Sequence, residues 1–174
     1  MISLPRCGPS AVHGLRRRIE VNELLGNADM HLKNIGLPYR DRHHATLAAA
    51  ENIKATGLYS GARGDAPRLM LGSAAQHASP LFNQAHLKDF GDALGEQVAS
   101  AAKVIRDVAS QAAQPWRQPI LASQLTPRQK RHLLRCLAAH LNLRQAINRL
   151  RRPAFLRDWD AAADFVDAGG KTLV

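Results

Sequence analysis

The sequence predicts a mainly α-helical protein, and three observations support that fold class. Aromatic residues make up only 5% of the chain, while alanine and leucine, which favour helices over large sheets, dominate it. In the second half, apolar residues recur at helical spacing between helix start and stop signals. A length of 174 residues with 45% apolar content predicts one domain of ordinary size, large enough to bury a core.

The first helix is predicted from Ala11 to Leu25. Residues 1–10 contain two prolines and a glycine without periodicity, which indicates irregular backbone. Apolar side chains then fall mostly on one helical stripe, and Gly26 is a typical C-terminal stop. The arginine triplet at residues 16–18 lies outside the stripe. We therefore expect a solvated basic face there, with contact to nucleic acid as the alternative.

Two short strands are predicted at residues 35–39 and 46–48, on either side of a polar turn. Pro38 would restrict the first of them to a sheet edge. His43 and His44 in the turn lack a third nearby ligand, so we expect exposed turn residues rather than a metal site. The glycine-rich residues 57–67 match no phosphate-binding motif.

The second half of the chain is predicted to be helical. Thr126 is followed by a proline and then by Gln129, which together form a strong helix start with a capping box. Pro115 stops the helix that precedes it, and Asn83 is an N-cap for an earlier one. The predicted helices are residues 84–94, 96–113, 127–151 and 155–167.

Charge and cysteine usage narrow the class of protein. Lys and Arg number 24 against 14 Asp and Glu, a net charge of +10 that permits an acidic or phosphate-rich partner, although a solvated basic surface is the expectation. Cys7 and Cys136 are too few for a zinc site or a disulfide framework, so we expect reduced thiols. The sequence has neither an apolar run of about 20 residues nor a signal peptide. We expect a soluble, cytoplasmic protein that does not enter a membrane.

The stretch from Asn27 to Asn34 combines an acid, amides, an imidazole and an ammonium group within eight residues. Asp29 and Asn34 have the Asp-x-x-x-x-Asn spacing of the kinase catalytic loop. In such a loop the aspartate accepts the proton of the substrate hydroxyl, and the asparagine turns back toward magnesium between the nucleotide phosphates. A short irregular loop after a helix presents both side chains, whereas a regular helix would point them to diverging faces.

Residues 23–34, Glu-Leu-Leu-Gly-Asn-Ala-Asp-Met-His-Leu-Lys-Asn, closely resemble the catalytic loop of HipA-like serine/threonine kinases, the toxin kinases of bacterial toxin–antitoxin pairs. The resemblance extends from about Glu23 to Ala113 and is weaker beyond Gln118. It implies a mainly helical C-terminal kinase lobe over residues 11–174 with a small β-hairpin around the loop, and it implies ATP and Mg²⁺ as cofactors.

The resemblance also implies a role for each polar residue of the loop. Asp29 matches the general base, and Asn34 matches a magnesium ligand. His31 and Lys33 match the residues that steady the aspartate and the phosphates, so both are candidate catalytic residues. The candidate cofactor-binding residues are Asn27, Lys33 and Asn34.

The second metal-binding aspartate of the family is replaced in this sequence. Asn52 stands in its position, beside Glu51 in place of a tyrosine, so the candidate metal ligands are Asn34 and Asn52. A hard divalent cation prefers carboxylate oxygen, so the neutral amide should weaken nucleotide binding. The small N-terminal lobe with its phosphate-binding lysine also has no counterpart before residue 20. We therefore expect a truncated kinase lobe with little or no activity.

Three functions remain open from the sequence. The first is an impaired kinase that phosphorylates a protein substrate. The second is a catalytically inactive helical module that binds an antitoxin-like DNA-binding protein. Direct nucleic-acid binding through arginines is the third and least favoured, because no motif beyond charge supports it.

Overall fold

The computed structural model describes residues 7–27, 29–39, 41, 44–59, 88, 91–92, 95–113 and 115–140. Within them the protein is mainly helical, as the sequence predicts. The α-helices are α1 (Gly8–Leu24), α2 (Val98–Ala113), α3 (Arg117–Ala122) and α4 (Pro127–Ala139), and the 3₁₀ turns are Leu32–Asn34 and Thr56–Leu58. The chain forms two compact units, Met1–Val108 and Ala109–Val174. None of the helices among the described residues has the length and apolar content needed to cross a membrane.

Helix α1 forms the centre of the first unit. It begins at Gly8, earlier than the predicted Ala11, with a proline in its first turn, where the fixed φ of proline suits a helix. Leu15 and Ile19 of α1 form a core cluster with Met30 and Ile105. Partly buried apolar side chains pack against this cluster, including Cys7, Ile35, Leu37 and Leu47. The apolar stripe of the sequence is thus the buried face of α1.

The arginine triplet does not form the solvated face that we expected. Arg16 is fully buried, and its guanidinium binds Glu96 with Nε···Oε2 and Nη2···Oε2 distances of 2.9 and 2.8 Å. Burial lowers the pKa of Arg16, and the contact with Glu96 opposes that change. Arg18 donates from Nη2 to the carbonyl oxygen of Ala48, so Arg17 is the exposed member of the triplet. The expectation was wrong because the helical pattern shows which positions are polar but not which of them find a buried partner.

The two predicted strand segments are joined by backbone hydrogen bonds. The amide of Thr46 donates to the carbonyl oxygen of Pro38 and that of Ala48 to Gly36, each over 3.0 Å. Tyr39 and Ala45 form an isolated antiparallel bridge. No longer strand is assigned among the described residues, and the β-hairpin stays a prediction. His44 is exposed and contacts Asp41, two observations that agree with its placement in a turn.

The second unit contains a helix start that the sequence predicts in detail. The Thr126 hydroxyl accepts a hydrogen bond from the Gln129 amide, while the Gln129 side chain accepts one from the Thr126 amide, which completes the capping box of α4. Helix α4 ends at Ala139, where His140 adopts extended backbone, so the predicted continuation to Arg151 is wrong. Helix α3 was not predicted. The predicted helix 155–167 and most of 84–94 lie outside the described residues.

Candidate functional site

The candidate site begins at the C-terminal end of α1. Gly26 has a φ of 64°, a left-handed conformation that glycine adopts without strain. Its amide donates to the carbonyl oxygen of Glu23 over 3.0 Å, and the next amide, of Asn27, donates to Asn22 over 2.8 Å. This pair of bonds is the Schellman arrangement, which ends a helix and satisfies its last carbonyl groups. The chain therefore leaves α1 with Asn27 turned toward the interior.

Asn27 is fully buried and connects three segments of the first unit. Its side-chain Nδ2 donates to Oδ1 of Asn22 on α1 and, over 3.0 Å, to the carbonyl oxygen of Asn52. Its Oδ1 accepts a hydrogen bond from the amide of Asp29 over 3.1 Å. Both hydrogens of the amide group are used inside the protein, so Asn27 positions the loop around Asp29. Direct contact of its Nδ2 with a cofactor would require one of these bonds to break.

The candidate base, Asp29, carries a half-exposed carboxylate that two side chains approach. Asn52 donates from Nδ2 to Asp29 Oδ2 over 3.2 Å, and His31 Nε2 lies 3.8 Å from Oδ1, with side-chain exposures of 52% for Asp29 and 43% for His31. Asn34 donates from Nδ2 to the backbone carbonyl oxygen of Asp29 over 2.9 Å. The structure thus brings Asn34 and Asn52, the two candidate metal ligands, onto the same residue from different sides.

Asn52 is held in an uncommon backbone conformation. Its φ of 54° lies in the left-handed region, where it is the sole non-glycine residue among those described. Asparagine tolerates this region better than most residues. In this conformation the carbonyl oxygen of Asn52 accepts from Asn27 while its side chain reaches Asp29. Glu51 beside it is exposed, and its charge acts on Arg18.

The remaining candidate residues are His31, which precedes the 3₁₀ turn Leu32–Asn34, and Lys33, which lies within it. Lys33 lies inside the turn and is exposed, so its ammonium group is accessible to a ligand. His31 precedes the turn with extended backbone, and its ring atom Nδ1 is buried without a hydrogen-bond partner. The imidazole therefore presents Nε2 to Asp29 and Nδ1 to the protein interior.

The donor atoms of this cluster decide whether it suits the magnesium ion that the resemblance implies. Magnesium takes oxygen ligands and is commonly held by one or two carboxylates together with nucleotide phosphates. The cluster offers one carboxylate, on Asp29, and the amide oxygens of Asn34 and Asn52. The Nδ2 of Asn34 is used on the Asp29 backbone, which leaves its Oδ1 for a cation. These residues fit magnesium bound mainly through phosphates, with less negative charge than two carboxylates would supply.

Two residues of the site were not identified from the sequence. Asn22, buried in the last turn of α1, links Asn27 to the helix and also donates from Nδ2 to the carbonyl oxygen of Arg18 over 2.7 Å. Thr56 donates from Oγ1 to the carbonyl oxygen of Gly26 over 3.3 Å. The sequence did offer a signal for Asn22, because it is an asparagine in the last turn of an otherwise apolar stripe. The contact of Thr56 spans 30 residues, so no local pattern could have shown it.

Together, the fold and the cluster define a mainly helical domain with an aspartate–asparagine loop site at the end of its first helix. The chain belongs to the family described as the HipA-like C-terminal domain, whose model matches residues 3–116. The match covers about two thirds of the 174 residues and includes α1, upstream of the Glu23 at which the resemblance was placed. The search of curated proteins and the search of solved structures found no match.

Proposed function

We propose that this protein carries the catalytic-loop part of an ATP-dependent kinase site and transfers a phosphoryl group to a protein hydroxyl at a much reduced rate. The observation that carries the proposal is the contact of both candidate metal ligands with Asp29: Asn34 on its backbone and Asn52 on its carboxylate. Membership of the HipA-like C-terminal domain family supports it. A toxin–antitoxin context follows from the resemblance of the loop.

In this proposal Asp29 receives the proton of the substrate hydroxyl. The hydroxyl oxygen bonds to the γ-phosphorus, the bond from that phosphorus to the β–γ bridging oxygen breaks, and ADP leaves with the electron pair. Asn34 and Asn52 would hold magnesium through their amide oxygens, and the ion supplies charge neutralisation for the phosphates. The exposed Lys33 binds phosphate oxygens, while His31 and Asn27 keep Asp29 oriented.

The same contact explains why the rate should be low. The Asn52 amide occupies Oδ2 of Asp29, one of the two carboxylate oxygens that could accept the substrate proton. In addition, a neutral amide replaces one negative charge next to magnesium, which weakens the binding of the ion. Both effects act on the chemical step or on nucleotide binding.

The test compares the wild-type chain with Asn52→Asp and Asp29→Asn in a phosphoryl-transfer assay that uses ATP, magnesium and casein as the acceptor protein. We expect slow transfer by the wild type, an increase of about tenfold or more in Asn52→Asp, and loss of transfer in Asp29→Asn. Transfer that is equally fast in Asp29→Asn would disprove the role of Asp29. A rate that does not rise in Asn52→Asp would disprove the role assigned to Asn52.

A second function is favoured by one specific feature: Asn27 and Asn52 hold Asp29 through hydrogen bonds within the chain. Asn52, Asn27 and Asp29 satisfy one another through hydrogen bonds, so the cluster does not require magnesium for its structure. A catalytically inactive module that binds an antitoxin-like DNA-binding protein would keep such a loop for its shape. This function predicts that the complex with the partner forms equally well with the Asp29→Asn variant. It also predicts that neither the wild type nor the Asn52→Asp variant binds ATP.

A further inference from the structure

The positive charge of the chain is concentrated in one segment of the sequence. Between Asp107 and Asp158 there is no acidic residue, although this stretch carries ten of the 24 lysines and arginines. The remaining 14 basic residues are balanced by the 14 acidic residues of the chain. The whole formal charge of +10 thus corresponds to this segment. We call residues 108–157 the basic segment, and most of it lies beyond the family match, which ends at residue 116.

Within the described part of the basic segment, three of the five lysines and arginines lie on one face of α4. Arg128, Arg131 and Arg135 are separated by three and four residues, so they share one side of the helix. Arg128 and Arg135 are exposed, and Arg131 between them is half-buried. The opposite side is apolar and buried, with relative exposures of 5% for Leu133, 3% for Leu134 and 1% for Leu137. Helix α4 therefore presents an arginine face and packs with its leucine face.

Helix α4, which carries this arginine face, is the second helix of a pair with α3. Helix α3 ends at Ala122 and α4 begins at Pro127, so four residues connect them, and the two helices pack against each other. Lys130 fastens α4 to α3 through a hydrogen bond of 2.6 Å from Nζ to the carbonyl oxygen of Leu121. Two helices joined by a turn of four residues have the connectivity of helix-turn-helix units.

We propose that the arginine face of α4 binds the phosphate backbone of double-stranded DNA. The argument is charge complementarity, because duplex DNA carries about one negative charge per 1.7 Å of axis. A basic face without neighbouring acids in sequence neutralises phosphates and releases the counterions that were condensed on the DNA. Seven residues of helix separate Arg128 from Arg135, about 10 Å along the axis, which is comparable to the major-groove width of about 12 Å. The narrow major groove of double-stranded RNA does not admit a helix in this way.

The test measures fluorescence anisotropy of a labelled duplex of random sequence with the full chain, over about 50 to 200 mM salt. We expect the wild type to bind and the triple variant Arg128→Gln, Arg131→Gln, Arg135→Gln to bind about tenfold or more weakly. Its slope of log K against log salt should be smaller by about 2.7, which is 0.9 for each lost phosphate contact. The triple change to lysine at the same positions should retain most of the binding, because lysine also contacts phosphate.

A matched control removes the same charge elsewhere. Lys54, Lys88 and Lys103 are exposed and lie outside the basic segment. Their triple change to glutamine should leave the salt slope unchanged, and an equal loss in both triple variants would overturn the proposal. So would the absence of wild-type binding at about 50 mM salt, or equally tight binding to RNA or to anionic lipid vesicles. The single variant Arg135→Gln, which should lower the slope by about 0.9, keeps the proposal testable if the triple variant unfolds.

Discussion

Asn52 donates a hydrogen bond from its side-chain Nδ2 to Oδ2 of Asp29 over 3.2 Å, across 23 residues of sequence. The same residue accepts a hydrogen bond on its carbonyl oxygen from buried Asn27. The loop resemblance aligns Asn52 with an aspartate, and two carboxylates this close would repel each other unless a cation lay between them. An amide at position 52 instead donates a hydrogen bond to Asp29, so this contact needs no cation between the two side chains.

The first prediction concerns the stability of Asn52→Asp. Replacing the amide donor with a carboxylate should lower the free energy of unfolding by about 1–2 kcal/mol in the presence of a chelator. Millimolar magnesium should restore part of this loss in the variant and leave the wild type unchanged. Thermal unfolding followed by circular dichroism, with and without magnesium, checks this. A variant as stable as the wild type in the chelator would contradict the account of the contact.

The second prediction concerns Gly26, whose positive φ turns the chain out of α1. A Cβ at this position would meet no atom within 4 Å, so the cost of Gly26→Ala comes from the backbone conformation alone. We expect Gly26→Ala to lower the free energy of unfolding, measured in urea, by about 1 kcal/mol. Gly26→Asn is the control, because asparagine tolerates the left-handed region, and it should lose clearly less. Equal losses for the two variants would show that backbone conformation is not the cause.

The third prediction concerns the buried ion pair between Arg16 and Glu96. Arg16→Met should destabilise the protein by about 3 kcal/mol, because it leaves the buried Glu96 carboxylate without its guanidinium partner. The exposed pair of Lys103 and Asp107 provides the control, and Lys103→Gln should cost less than about 0.5 kcal/mol. Urea unfolding curves of the two variants give the comparison. If Arg16→Met and Lys103→Gln lower the free energy of unfolding by similarly small amounts, Arg16 is solvated and the account of the buried pair is wrong.

The fourth prediction concerns the capping box of α4. Thr126→Ala removes the acceptor for the Gln129 amide and should cost about 1 kcal/mol, with a measurable loss of helical signal in circular dichroism. Gln124→Ala, a change at an exposed position just before the cap, should have almost no effect. If the two changes have equal effects, the capping box does not stabilise α4.

The fifth prediction concerns the thiol of Cys136. Burial raises its pKa, so near pH 9 a smaller fraction of the thiol should be ionised in the folded chain than in the unfolded chain. Alkylation of Cys136 by iodoacetamide, followed by mass spectrometry, should therefore be slower in the native protein than in urea. The associated contribution to stability is present below the pKa of the unfolded thiol and is lost as pH rises through the folded value. Equal alkylation rates in the two states would contradict the effect of burial.

Local sequence signals predicted α1, α2 and the start of α4. Some helix ends depend only on neighbours within a few residues, so the local sequence is enough to predict them. These are the capping box of Thr126 and Gln129 and the stop at Gly26. The end of α4 at Ala139 was not predicted, because residues up to 151 continue the apolar spacing and no proline or glycine intervenes before His140. The buried pairing of Arg16 with Glu96 spans 80 residues and has no local signal.

The candidate site divides in the same way. The resemblance of residues 23–34 identified Asp29 and Asn34, and the structure places them in contact. The continuation of the resemblance beyond residue 34 identified position 52, because that residue is aligned with a family aspartate. The supporting contacts of Asn22 and Thr56 were missed, since a buried asparagine and a loop threonine look ordinary until the chain folds around Asn27.

The measurement that tests the central claim most directly is calorimetric titration of the full chain with ATP, with and without magnesium, for the wild type, Asn34→Ala and Asn52→Asp. If Asp29, Asn34 and Asn52 form a weakened nucleotide site, the wild type should bind ATP weakly and only with magnesium. Asn34→Ala should then abolish binding, and Asn52→Asp should strengthen it about tenfold. Binding that is the same in all three chains, or absent at millimolar ATP even in Asn52→Asp, would contradict the claim.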